Sequence, residues 1–398
     1  KTAYEISLGL VGSEMCIRDR WSVVARLLRA LSEWGESEGP CVLVVDEVQG
    51  LRGLRHVAAL LAHAYDYERG VKLVLAGSEV GLLDRFLGRR NPRSPLYGRR
   101  TGQWKLGEGP LRSLPEFLPG YATPDLLRVY GAVGGVPMYL DLFDSSKGFY
   151  ENVRRLFLSK AGLLYEEAEN LLRMEFREPR NYALVLRALA EGYRRFGEIA
   201  SYTGLDRAAV SRYLDVLQSL DLVSYELPVL ASPKAKRRRY YIKDCYMAFW
   251  FRYIEPSKPK IEQGRHDEVL KAIKADYDSY MGHVYARLAA RMVAASGKWD
   301  RVGRQWGRVG SEVYEIDVLA VDSSTNTLLA AEVKWSDLGA NDVERELRRL
   351  RRKVSLLDWR RDRRRERYAV VARSFKEPVE DLPENAELYS AEDVIRAC

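Results

Sequence analysis

Two acidic pairs in this chain stand where carboxylates can grip a cation. Residues 41 to 51 read CVLVVDEVQGL, so an apolar run of small and β-branched residues delivers Asp46 and Glu47 at its end. Such a run fits a parallel strand covered on both faces, and acidic groups at its carboxyl end lie where open α/β sheets bind ligands. There Asp46 can hold a Mg²⁺ that keeps most of its water, and Glu47 can polarise an attacking water. The plainer alternative is a core strand ending in an exposed Asp-Glu turn. The second pair lies in YEIDVLAVDSSTNTLLAAEVKW, which starts at Tyr314. A hairpin centred on the turn-rich stretch Asp322 to Thr327 pairs residues whose numbers sum to 649, which sets Asp317 opposite Glu332. Alternation then places Glu315, Asp317, Glu332 and Lys334 on one face, with Tyr314, Ile316, Val318, Ala331, Val333 and Trp335 on the other. Facing carboxylates repel unless a cation lies between them. Mg²⁺ held by Asp317 and Glu332 would serve, with Lys334 stabilising a hydroxide or a developing phosphorane charge. The alternative is a surface hairpin with a Glu-Lys pair.

The elements that position the first pair are readable. After it, Leu51, Leu54, Val57, Leu60, Leu61 and Ala64 recur on a helical period, and VKLVLAGS follows as a second buried strand ending at Ser78. A phosphate cradle of the form GxxxxGK[ST], whose backbone N–H groups hold β and γ phosphates, does not occur in the chain. The chain opens with KTA and then YEISLGLVGSEMCIRDR, which resembles a translated sequencing-adapter fragment. Residues 4–20 are therefore set aside from fold reasoning, and Lys1 and Thr2 are taken as the tail of a lost GKT loop that would touch the nucleotide.

With 398 residues, several domains are expected. Hydrophobic content of 46% with 30% charge points to folded domains, and no apolar run reaches membrane-helix length. The four cysteines show no paired spacing, which suits a reducing cytoplasm. His56 and His63 share a helical spacing but lack a third ligand, which disfavours zinc. A net charge of +8 favours polyanion partners without conferring specificity.

FGEIASYTGLDRAAVSRYLDVLQSL, residues 196–220, reads as two helices around a Thr-Gly-Leu turn, with Asp206 as N-cap of the second. Val210, Tyr213, Leu214, Leu217 and Leu220 form one stripe; Arg207, Ser211, Arg212 and Gln218 form the opposite face, as a recognition helix requires. A hairpin follows, and its tip carries Lys234, Lys236, Arg237, Arg238 and Arg239, a basic wing. DNA is the expected partner, although winged helices also serve as spacers or protein-binding surfaces, so a protein partner and an oligomer stay open. Arg345 to Arg367 holds twelve basic against four acidic residues and reads as an amphipathic helix with a basic outer face.

DEVQGL, AGSEVGLL, SPLYGRRTGQWKL and GAVGGVPMYLDLF occur in the order and spacing found in archaeal and bacterial ATPases of the AAA+/STAND type. Those ATPases carry a C-terminal domain resembling restriction endonucleases, and the chain resembles them from Trp21 onward. The resemblance implies an α/β multidomain chain that binds ATP and Mg²⁺. Its parts are a truncated P-loop NTPase core over 21–120, a helical lid over 121–180, a winged helix over 181–256 and a nuclease-like domain over 265–398. Asp46 and Glu47 then occupy a Walker B strand, Ser78 a γ-phosphate sensor position, and Arg99 and Arg100 offer a cation to the transferring phosphoryl group. Gly134, Gly135 and Pro137 read as backbone geometry at the start of the lid. Asp317, Glu332 and Lys334 match the PD-(D/E)xK nuclease pattern, but Ala286 stands where a glutamate is often found in the first helix of such a domain. With the Walker A loop missing, the chain is expected to bind ATP poorly. Two other outcomes remain open: a non-catalytic DNA-binding regulator, and a Mg²⁺-dependent endonuclease.

Overall fold

The computed structural model describes residues 17–48, 51, 57–77, 93–232, 235 and 237–398, with side chains from Val23 onward. The chain divides into two compact units, Lys1–Leu106 and Gly107–Cys398. The segments expected as lid, winged helix and C-terminal domain lie in the second unit.

In the first unit α1 (Ile17–Glu38) precedes β1 (Cys41–Val45), and α2 (Val57–Tyr67) leads to β2 (Val71–Leu75), which pairs with β1 in parallel. Residues 17–20, set aside from the fold on sequence grounds, belong to α1. Gly35 and Gly70 let α1 approach the start of β2 backbone to backbone, since a side chain at either would collide with a carbonyl group. The expectation that β1 is covered on both faces is not met. Among the described residues its sheet has two strands; Leu73 and Leu75 pack with Val57 and Leu61 of α2, whereas Val42 and Val44 are 59% and 60% exposed. Apolar composition alone could not tell one covered face from two.

The second unit begins with short helices, among them α3 (Thr123–Val133) and α4 (Phe149–Phe157). Gly134 ends α3 with φ +69° and Pro137 opens the next short helix, so these residues serve backbone geometry. The winged helix comprises α5 (Pro179–Ala190), α6 (Phe196–Thr203), α7 (Arg207–Ser219) and the antiparallel hairpin β3 (Val223–Glu226) and β4 (Arg239–Ile242). The 30-residue α8 (His266–Ala295) then leads into a five-stranded sheet. Its strands are β5 (Arg301–Val309), β6 (Glu312–Asp322), β7 (Thr327–Leu338), β8 (Arg365–Phe375) and β9 (Ala386–Tyr389), in that spatial order. β5, β6 and β7 are antiparallel neighbours; β8 and β9 continue in parallel, joined to β7 through α9 (Ala340–Ser355). One face packs Val318, Ala331 and Val333 in one core with residues of α8 and α3, the other packs Leu319, Leu328 and Ala330 with Leu347 and Leu350 of α9. Burial on both faces explains why β6 and β7 read as nearly unbroken apolar runs.

The helix expected over 345–367 ends at Ser355, and Arg365 already belongs to β8. Parallel pairing of β8 with β7 takes priority over the helical charge pattern, because a strand starting at Arg365 satisfies the open edge of β7. Among the described residues no helix is long and apolar enough to cross a membrane.

Candidate functional site

β6 and β7 pair from Val318↔Ala331 to Asp322↔Thr327, and every pair sums to 649 as the hairpin arithmetic requires. The ladder stops one step short of Asp317 and Glu332. There the Asp317 carboxylate replaces main-chain pairing, its Oδ2 accepting from the Val333 N–H at 3.1 Å. The cause is a bulge: Gly303 pairs with Leu319 and Gln305 with Ile316, so β6 spends one residue more than β5. Strict alternation is lost at this point, which corrects the expected apolar face. Tyr314 and Ile316 join the core on the α9 side, while Val318, Ala331, Val333 and Trp335 lie in the core on the α8 side.

Cations of the chain itself surround the carboxylates. Glu332 is 5% exposed and receives Lys334 Nζ at 2.9 Å on one oxygen and Lys353 Nζ at 2.7 Å on the other. Buried Glu346, from α9, receives Arg349 at 3.0 Å and lies 3.6 Å from Lys334 Nζ, while its Oε2 finds no hydrogen-bond partner. Arg304 of β5 reaches Glu315 at 3.2 Å and Asp317 at 3.9 Å. Burial, then the charge of Glu332, raises the Asp317 carboxyl above its ordinary value. Burial works to lower Lys334, but its hydrogen bond to Glu332 and the charges of Glu332, Glu346 and Asp317 prevail and hold the ammonium raised. Lys334 is therefore a fixed positive charge at neutral pH and not a base.

This donor set does not fit a metal ion as it stands. The cation expected between Asp317 and Glu332 is replaced by lysine on the Glu332 side, both of whose oxygens are engaged. Among the described residues no group of three or more His, Cys, Asp or Glu side chains is arranged to hold a metal. Ala286 is a buried apolar position of α8, and the additional carboxylate comes from α9. Sequence reasoning passed over Arg304, Glu346 and Lys353. A signal for Glu346 was present: it shares the helical stripe of Val343, Leu347, Leu350 and Val354, where a carboxylate is out of place unless partnered.

At the other acidic pair, Asp46 and Glu47 are exposed just beyond β1. Asp46 Oδ1 accepts from the Glu47 N–H at 2.9 Å, and Glu47 is left-handed with φ +49°. The following Val48 N–H donates to Ala76 at the end of β2, so the two strand ends stay together. Arg99 pairs with Asp66 at 2.9 Å and donates to the Pro95 carbonyl at 2.6 Å, and Arg100 donates to Gln103 at 2.7 Å. Both arginines thus brace their own surroundings and are not brought to Asp46 by any of these contacts. Lys1, Thr2 and Ser78 lie outside the described residues.

On the winged helix, Asp206 caps α7 by accepting from the Ala209 N–H at 2.8 Å. Val210, Tyr213, Leu214 and Leu217 are buried, whereas Arg207, Ser211 and Arg212 are exposed. Gln218 is half-buried and spent on the Leu214 carbonyl. Arg237 and Arg238 are exposed, and Lys234 and Lys236 lie outside the described residues. Arg239 turns inward, correcting its place in the basic wing: it pairs with Glu315 at 2.9 Å and covers the Trp306 ring at 4.2 Å.

Residues 183–225 match the family described as bacterial regulatory protein, arsR family, and residues 250–346 match the family DUF234, described as archaea bacterial proteins of unknown function. The second match runs through Asp317, Glu332 and Lys334 to Glu346. Among solved structures the chain is similar to the Walker-type ATPase paby2304 of Pyrococcus abyssi, with 27% identity over 57% of this chain and 68% of that one, at a TM-score of 0.46. A Methanocaldococcus jannaschii protein named uncharacterized protein MJECL04 is 32% identical over 346 residues, which is 84% of this chain and 76% of the relative. The chain belongs to the same family as that Methanocaldococcus jannaschii protein.

Proposed function

We propose that this protein binds duplex DNA through its winged helix, and that it is of an ATP-hydrolysing, STAND-like type whose first unit answers to ATP with Mg²⁺. The observation that carries the DNA reading is the division of α7. Its buried stripe is packed against the unit, Arg207, Ser211 and Arg212 are left facing solvent, and Arg237 and Arg238 of the hairpin are exposed as well. A helix so divided suits a major groove, with the hairpin cations along the neighbouring backbone. The test is fluorescence anisotropy with a labelled duplex. Binding should weaken steeply with added salt, and Arg207→Gln with Arg212→Gln should lower affinity about fivefold to a hundredfold. Salt-insensitive association, or none, would overturn the reading and favour a protein partner.

The nucleotide reading is supported by Asp46 and Glu47 at the carboxyl end of parallel β1. Asp46 would hold Mg²⁺ and Glu47 would orient the attacking water; Lys1, Thr2 and Ser78 are proposed to complete the phosphate contacts. With no GxxxxGK[ST] loop in the sequence, a fluorescent ATP analogue should bind weakly; Asp46→Ala should abolish whatever Mg²⁺-dependent binding the native chain shows, and micromolar Mg²⁺-dependent affinity of the native chain would overturn the expected defect. For the C-terminal sheet the regulator reading is favoured over the endonuclease, because Lys334 and Lys353 already neutralise Glu332. Plasmid DNA with Mg²⁺ should stay intact, and cleavage abolished by Asp317→Ala and Lys334→Ala would reverse that choice.

A further inference from the structure

Behind the hairpin lies a recess whose walls carry Arg194, Arg239, Arg287 and Arg304, one each from the α5–α6 connection, β4, α8 and β5. Glu226 and His283 also line it. Four guanidinium groups of one sign converge from four elements, which is costly unless anions lie among them. Glu315 answers Arg239 and Arg304, at 2.9 Å and 3.2 Å, and its carboxyl stays below its ordinary value although burial opposes this. The remaining positive charge shows in Arg194, which burial and then the charge of Arg304 push down, with Arg287 and Arg239 adding to it against Glu226. Burial, then Arg194, Arg304 and Arg287, holds His283 down at about 4, so it stands neutral and offers an N–H donor.

Arg304 supplies the second observation. Its side chain is 8% exposed, and its buried Nε finds no acceptor. An orphaned guanidinium N–H in a polar recess needs an outside acceptor. The walls are also held rigidly. The segment after β3 is stapled to β5, with the Val229 N–H donating to the Arg304 carbonyl at 3.2 Å and the Leu230 N–H to Gln305 Oε1 at 3.0 Å. Arg287 lies over the Tyr241 ring at 5.0 Å, which fixes its plane.

Size narrows the ligand. The enclosed floor has room for about one water-sized group, and the mouth opens to solvent. A phosphate oxygen can enter while the rest of the ligand stays outside, which suits a polymer backbone better than a whole nucleotide. We propose that this recess, built jointly by the hairpin and the C-terminal sheet, is a backbone-phosphate site for the duplex that the winged helix contacts. The assignment rests on the DNA reading above. It makes the C-terminal sheet part of the DNA-contacting surface, and Arg304 then joins a bound phosphate to the Asp317 carboxylate.

The experiment is duplex anisotropy on the full chain in potassium chloride, comparing the native protein, Arg194→Gln with Arg287→Gln, and Arg287→Lys. The double variant should flatten the dependence of log affinity on log salt by about one to two, with affinity reduced equally for unrelated sequences, and Arg287→Lys should keep the native slope. Thermal unfolding of each variant confirms that it folds. If native protein binds and Arg207→Gln with Arg212→Gln weakens it while the recess variants leave slope and affinity unchanged, the phosphate site is overturned and the DNA reading survives. Failure of the native protein to bind duplex at low salt overturns both. Stabilisation of the native protein alone by millimolar inorganic phosphate, with DNA affinity unmoved by the recess variants, would assign the recess to a free anion and overturn the backbone site.

Discussion

The two acidic pairs of this chain differ less in their residues than in what surrounds them. Asp46 and Glu47 are exposed, follow a strand that among the described residues pairs with β2, and are joined by a hydrogen bond within the turn. Asp317 and Glu332 stand in a five-stranded sheet covered on both faces, and Glu332 is neutralised by two lysines from different elements. A carboxylate at a covered sheet must bring its counter-charge with it, whereas one at an exposed strand end leaves that task to solvent or a ligand. The first pair is open to solvent, whereas Glu332 of the second is already paired within the chain.

The largest expected effect comes from breaking the paired site. Glu332→Ala strands Lys334 and Lys353 around a buried position and should cost about 3–5 kcal/mol of stability in urea unfolding. A loss under about 1 kcal/mol would mean that the lysines find water, and that the two acidic pairs are alike after all. Next comes Glu346→Gln, which keeps shape but removes the charge that Arg349 and Lys334 face. The expected loss is about 1.5–3 kcal/mol, the range for hydrogen bonds to charged groups. An unchanged urea midpoint would show that neither Arg349 nor Lys334 depends on this charge.

How far the sequence reached can be judged at these same residues. The hairpin register from Val318 to Thr327, the winged helix and the Asp206 cap all follow from local pattern, because a turn fixes a register and a cap is decided within one helical turn. The β6 bulge could not be read, since it is forced by the register with β5, a strand whose Gly303 and Gly307 blur its alternation. Arg304, Lys353 and the inward turn of Arg239 were out of reach because each meets its carboxylate on another element, in a pairing that no local pattern fixes. The helix expected to Arg367 failed because charge density says which surface is wet and not where a helix must stop.

Asp317 gives the third test, through pH. Burial and Glu332 raise its carboxyl in the folded state, so the folded chain holds this proton more tightly than the unfolded one. The stabilising contribution is then complete below the unfolded carboxyl value of about 3.9 and is lost as pH rises through the folded value. Asp317→Asn keeps an acceptor for the Val333 N–H and removes the charge. At neutral pH it should gain about 0.5–1 kcal/mol, and the gain should vanish as pH falls toward about 4. A gain that persists in acid would have to come from something other than this titration.

The smallest effect is expected at the exposed pair, and it sharpens the comparison most. Asp46→Ala removes the acceptor for the Glu47 N–H, while Asp46→Asn keeps it and discards the charge. If the charge is there for a ligand, Asp46→Asn should leave the stability within about 0.5 kcal/mol of native and still abolish whatever Mg²⁺-dependent binding of an ATP analogue the native chain shows, weak as that binding is expected to be. Asp46→Ala should cost slightly more, because the left-handed backbone of Glu47 loses a local support. Equal, large losses of stability in both variants would show that the Asp46 charge holds the strand ends together, and its place beside β1 would then be structural.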